Sequence, residues 1–309
     1  MRKVIDFHGH LGDIYHTRQN IIWKKGIKRD GFPNPLFQME DADFNIPLFQ
    51  VMDSEQVVRD FFGALKHLAQ QANIENLSSD LDADGVGGIV MLPIQPNTTF
   101  DEYLAASYFE PRILPFTSAN FSLPIPEMQA QLERDIARGA KGMKVHPVLQ
   151  NVGFDDPRLH AAVQVLGQRK IPVLFHVGEN DYYVPECKFP RTPAHSEVHN
   201  FVEFARQYPD FVLVAGHAGG VSGGEAEILR DHWSSFGEHV YVDTSFRSPE
   251  YIRNLVDWFG EDKVLFGTDW PFATFKGHIR QVENAYPNNP EIREKIFYKN
   301  AARILKIHM

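Results

Sequence analysis

Residues 140–179 read "AKGMKVHPVLQNVGFDDPRLHAAVQVLGQRKIPVLFHVGE", and this stretch decides the fold. Two short apolar runs, "GMKV" and "PVLF", flank a segment with helical spacing, "DPRLHAAVQVLGQRK". Asp156 stands at the N-cap of that segment and Pro157 in its first turn, where the missing N–H costs nothing. The apolar runs do not alternate with polar residues, as strands buried on both faces should not. Strand, helix, parallel strand is therefore the expected unit.

The unit repeats in both directions. Towards the N-terminus lie "RILPFTSA" and "VGGIVMLPI" as strands, with "IPEMQAQLERDIARG", "TTFDEYLAASYF" and "SEQVVRDFFGALKHLAQQA" as helices. Gly139 suits a helix C-terminus and Ser54 an N-cap. Towards the C-terminus follow the strands "DFVLVAGHAGG", "HVYVDTS" and "DKVLFGTDWP", alternating with "SEVHNFVEFARQYP", "GGEAEILRDHWSSF" and "SPEYIRNLVDWFG" as helices. With "VIDF" as the first strand, there are about eight alternations. A single α/β domain over residues 1–309, closed as a (β/α)8 TIM barrel, fits that count. The competing architecture is an open doubly wound sheet. Its glycine fingerprint is missing from the first strand-to-helix turn. Residues 12–52 depart from the pattern. They mix prolines, charges and Trp23, Phe32, Phe37, Phe44 and Phe49 without periodicity, and read as an ordered insertion serving as a lid or a dimer contact.

Bulk composition narrows the partners. The formal net charge of −9 argues against nucleic acid or an anionic membrane surface as the main ligand. A small anionic substrate held by a few local cations remains compatible. Cys187 is the single cysteine, which leaves no internal disulfide and suits a reducing cytoplasmic setting. No apolar run is long enough to span a membrane, and the N-terminal segment lacks the apolar core of a secretory signal.

The chemistry of such a barrel belongs at the C-terminal ends of its strands. The first strand leads into His8 and His10, which point the same way because side chains alternate. On its own the pair fits either a shared metal or two strand-capping histidines bonded to carbonyls. The other mouths resolve the choice. They carry Lys144 and His146, His176 and Glu179, His217, Asp243 and Arg247, and Asp269. Five of the 14 histidines fall there, a recurrence that capping does not require. A metal centre is the expectation.

The segments "DFHGH", "VLFHVGE", "VLVAGHAGG", "VLFGTDWP" and "NAARILKI" resemble the amidohydrolase superfamily, most closely the branch that includes aminocarboxymuconate-semialdehyde decarboxylase. The resemblance runs from the first strand to the last helix. It implies a (β/α)8 barrel binding one divalent metal ion, commonly Zn²⁺. It further implies His8, His10, His176 and Asp269 as ligands, with His217 beside the metal-bound water. Asp269 and His217 would then carry the catalysis.

Lys144 occupies the place of the lysine that bridges two metals in binuclear relatives, but the absence of a second ligand set favours a single ion. Lys144 and Arg247 are then candidates to bind a substrate carboxylate; an ion pair and a surface arginine are the plainer alternatives. "HSEVH" spaces His195 and His199 one helical turn apart without the glutamate a zincin needs, and reads as a solvated helix face. His67, His160 and His232 read as surface or packing residues, and Cys187 as a passive thiol. The leading expectation is a hydrolase using a metal-activated water on an ester, lactone or amide of a small carboxylated molecule. The alternatives are a non-oxidative decarboxylase and a non-catalytic ligand-binding barrel. A homodimer is compatible with the aromatic insertion.

Overall fold

A computed structural model describes residues 3–15, 20–29, 35–45, 55–178, 192–221 and 223–307. Ser54, Glu179 and Cys187 lie outside these residues. The strands are β1 (Ile5–Gly9), β2 (Gly88–Met91), β3 in two pieces (Ile113–Pro115 and Thr117–Ser118), β4 (Met143–Val145), β5 (Val173–His176), β6 (Leu213–Gly216), β7 (Val240–Asp243) and β8 (Val264–Leu265). Each pairs in parallel with its neighbours in chain order. β3 changes partner at its break. Phe116 N donates to Met91 O of β2, and Thr117 N to Gly142 O just before β4.

The ring closes between the first and last strands. Phe7 N donates to Phe266 O (2.7 Å), Asp269 N to His8 O (2.8 Å) and His10 N to Trp270 O (2.7 Å). The result is the (β/α)8 barrel. The register of β1 shifts between Asp6 and Gly9, and Ile5 and Phe7 pack in one cluster with the C-terminal helix.

The helices are α1 (Pro35–Asp41), α2 (Glu55–Ala69), α3 (Ile74–Asp84), α4 (Phe100–Phe109), α5 (Ile125–Ala137), α6 (Pro157–Gly167), α7 (Val198–Arg206), α8 (Glu225–His232), α9 (Pro249–Phe259), α10 (Phe275–Ala285), α11 (Pro290–Glu294) and α12 (Asn300–Leu305). Their starts follow side-chain chemistry. Asp156 accepts from Arg158 N, Ser248 from Tyr251 N, and Thr99 and Glu102 form a reciprocal capping box. Among the described residues, no helix is long and apolar enough to cross a membrane.

Three elements differ from the sequence expectation. Residues 12–52 contain a helix, α1. A second helix, α3, follows α2, started by Asn73 accepting from Asn76 N. His195 and His199 do not share a helix. His195 sits in a 3₁₀ turn, Pro193–Ser196, and Glu197 (ψ 136°) breaks the chain before α7.

The insertion is tied down from two sides. Leu36, Met39 and Phe44 join Phe61, Phe62, Leu65 and Leu68 of α2 and Phe272 beyond β8 in one buried cluster. Buried Glu40 accepts from Thr274 N (3.1 Å) and Thr274 Oγ1 (2.6 Å) at the start of α10, a negative charge against a helix N-terminus. Gly277 leaves room for it, since a Cβ there would meet Glu40 Oε1 at 1.7 Å.

Candidate metal centre

His8 and His10 are both buried at the mouth of the barrel, and each has one ring nitrogen committed. His8 Nδ1 lies 2.8 Å from Asp243 Oδ2 and His10 Nδ1 lies 2.7 Å from Leu92 O. A carbonyl or carboxylate oxygen only accepts, so both Nδ1 atoms carry protons and both Nε2 atoms are lone pairs. Those lone pairs face Asp269 Oδ1, at 3.4 Å from His8 and 3.2 Å from His10. Among the described residues, Asp269 Oδ1 is itself buried without a hydrogen-bond partner. Three electron-rich atoms converging with no proton between them fit a cation.

The electrostatics agree. Burial drives His8 and His10 below the usual imidazole range, so both are neutral near pH 7. Burial would raise the Asp269 carboxyl, but its charged surroundings, Lys144 among them, hold it below the usual value. The turns that carry Asp269 and His217 are conformationally costly. Asp269 (φ 62°) and His217 (φ 56°) both occupy the left-handed region, where non-glycine residues persist only when their surroundings hold them.

His176 does not belong to the His8–His10–Asp269 group. Its Nδ1 stands 3.1 Å from His217 Nε2, and its ring stacks on His146 at 4.2 Å, nearly parallel. His217 stacks on His8 at 4.8 Å, and its Nδ1 contacts Ser245 Oγ at 2.8 Å. Burial likewise keeps His146, His176 and His217 neutral. The second group able to hold an ion is His8, His217 and Asp243. There, however, the His8 nitrogen nearest Asp243 carries a proton.

Lys144 is fully buried, its Nζ 3.1 Å from His8 Nε2, and burial lowers its pKa to about 8. Arg247 is buried too. Its Nη2 donates to the carbonyls of His217 and Gly220, and its guanidinium lies 4.4 Å over the Tyr251 ring. Its Nε has no partner, and no carboxylate pairs with it among the described residues.

Sequence reasoning missed the supports beneath these side chains. Asp6 accepts from His8 N (2.9 Å), Thr268 N (3.1 Å) and Thr268 Oγ1 (2.5 Å), tying the C-terminal end of β1 to the segment after β8. Asp243 accepts from His8 and also from Ser245. In the sequence Asp6 stands two residues before His8, and "VDTS" ends a strand in polar residues.

The sequence profile of the family described as Amidohydrolase matches residues 5–307. L-fucono-1,5-lactonase from Burkholderia ambifaria is 25% identical over 201 residues, 56% of this chain and 64% of the lactonase. The chain thus spans less than two thirds of that relative. A dihydroxybenzoic acid decarboxylase from a Polaromonas species, with bound manganese and the inhibitor 2-nitroresorcinol, has a TM-score of 0.67 at 17% identity, covering 99% of this chain and 97% of its own. An uncharacterized TIM-barrel protein from Bordetella bronchiseptica has a TM-score of 0.66 at 17% identity, covering 98% of each chain. Likenesses this distant share the fold.

Proposed function

The chain belongs to the amidohydrolase family, whose members are metal-dependent hydrolases or decarboxylases; from that premise we propose that it hydrolyses an ester, lactone or amide bond of a small carboxylated molecule. The observation that carries the reading is Asp269 Oδ1, buried, unpartnered and facing two imidazole lone pairs. His8, His10 and Asp269 would hold one divalent ion, with His176 as the fourth ligand. Imidazole and carboxylate together suit zinc, and such an ion supplies a Lewis acid and lowers the pKa of a water to about 7.

The chain's own groups do the rest. Asp269 accepts the proton of the attacking water and returns it to the leaving oxygen or nitrogen. His217, neutral and buried beside His8, orients that water. Lys144 and Arg247 supply the positive charge that a substrate carboxylate needs, and the orphaned Nε of Arg247 supports this role. The described part of the insertion serves as a lid: Leu36, Met39 and Phe44 share a buried cluster with Phe272, whose ring lies 6.3 Å from that of His10.

A sugar lactone is the first substrate to try, because the curated relative is a lactonase. Non-oxidative decarboxylation is the second reading, supported by the shared barrel of the Polaromonas enzyme. Zinc-loaded protein should be assayed against aldono-1,4- and 1,5-lactones by acid release and against hydroxybenzoates by CO₂ release. Acid release from a lactone is the expected result. CO₂ release without lactone turnover would replace hydrolysis with decarboxylation.

A further inference from the structure

Asp243 accepts four hydrogen bonds, and following their protons outward sets the rings of neighbouring histidines. Oδ2 takes the Nδ1–H of His8 at 2.8 Å. Oδ1 takes His217 N–H (3.2 Å), Ser245 N–H (3.0 Å) and the Ser245 hydroxyl (2.5 Å). In the last of these the Ser245 hydroxyl donates and the carboxylate oxygen accepts.

That spends the one proton of Ser245 Oγ. In its 2.8 Å contact with His217 Nδ1 the oxygen must therefore accept, and Nδ1 carries the ring proton. A neutral imidazole has only one such proton, so His217 Nε2 is a lone pair. It stands 3.1 Å from His176 Nδ1, which becomes the donor. His176 Nε2 is then a lone pair as well.

The geometry points to Ser245 as the positioning residue that relays the charge of Asp243 to His217 and His176, so that His176 offers Nε2 to a cation as His8 and His10 do. One carboxylate thus orders the tautomers of three imidazoles: His8 directly, His217 through Ser245, and His176 through both. The group that accepts from the far nitrogen of a ligating histidine commonly sets its tautomer. A serine placed between carboxylate and ring makes the arrangement dependent on a hydroxyl. The inference deepens the reading above, since only its consequence for metal affinity rests on His176 being a ligand. The tautomers themselves are measured without substrate.

The test is long-range ¹H–¹⁵N spectroscopy of zinc-loaded protein labelled with ¹⁵N-histidine, with His217 and His176 assigned from their Asn variants. The wild type should show both residues protonated at Nδ1. Ser245→Ala should move the His217 proton towards Nε2 and leave His8 protonated at Nδ1. It should also weaken zinc binding by about tenfold or more. Ser245→Thr, which keeps the hydroxyl, should retain the wild-type pattern and affinity. A wild-type His217 protonated at Nε2 overturns the inference whether or not Ser245→Ala folds. An unchanged His217 tautomer in a folded Ser245→Ala overturns it too. Correct tautomers with unaltered zinc affinity in Ser245→Ala would remove His176 from the ligand set and overturn the relay's purpose.

Discussion

Asp269 is asked to do two things with one carboxylate: hold a cation and take a proton. Asp269→Asn keeps the shape and removes the charge, so it should lose both the metal and turnover. His217→Asn leaves His8, His10 and Asp269 in place. It should keep most of the metal while turnover falls by about 10² or more. Metal content measured alongside activity separates the two, and metal loss in His217→Asn matching that of Asp269→Asn would make His217 a ligand. Arg247→Met should raise KM for a carboxylated substrate by about tenfold or more, with little change for its uncharged ester. An equal loss on both would reduce Arg247 to its visible bonds, which hold the His217–Gly220 turn. At this scale the sequence was informative where periodicity speaks. His8 and His10 share a face because strands alternate. Asp243 and Ser245 remained hidden as supports, since a polar residue at a strand end does not reveal which ring it faces.

Helices joined by side-chain bonds invite predictions about stability. Glu40 joins α1 to the start of α10. Glu40→Ala leaves the Thr274 donors without their partner and should destabilise the protein by about 1–3 kcal/mol. Amide exchange should rise across residues 35–45 in the same variant. Unchanged exchange there would mean that the apolar contacts alone hold the segment. Glu110, just past α4, accepts from Arg112 Nε and Nη2 (both 2.7 Å) and from Ser78 Oγ (2.6 Å). The Arg112 guanidinium, against a smaller opposing effect of burial, holds its pKa at about 2. A carboxylate depressed on folding adds stability that is fully present above its unfolded value of 4.5 and is lost as pH falls towards about 2. The stability gap between wild type and Glu110→Gln in urea titrations should therefore be constant above pH 5 and shrink below 4.5; a gap that widens on acidification would refute the assignment. The alternation of strands and helices was legible because both-face burial writes apolar runs and caps write Ser, Thr and Asp. α3 was not, because Ile74, Leu77 and Leu81 are its only large apolar residues within a polar stretch. α1, seven residues long, is too short to show a period.

At the scale of the whole molecule, ring closure brings the two ends of the chain together. The backbone bonds between β1 and the segment after β8 set His10 and Asp269 within 3.2 Å although they are 259 positions apart (269 − 10). Sequence order alone could place both at one end of a barrel. The convergence of lone pairs on one point depends on side-chain rotation that no local pattern encodes. The arrangement of His8, His10 and Asp269 calls for a bound divalent ion. Elemental analysis of metal-replete wild type, beside Asp269→Asn and His10→Asn, tests it most directly. About one divalent ion per chain, retained through gel filtration by the wild type and lost by both variants with the fold intact, is the predicted result. A folded wild type that holds no divalent ion, or variants that hold as much as the wild type, would contradict it.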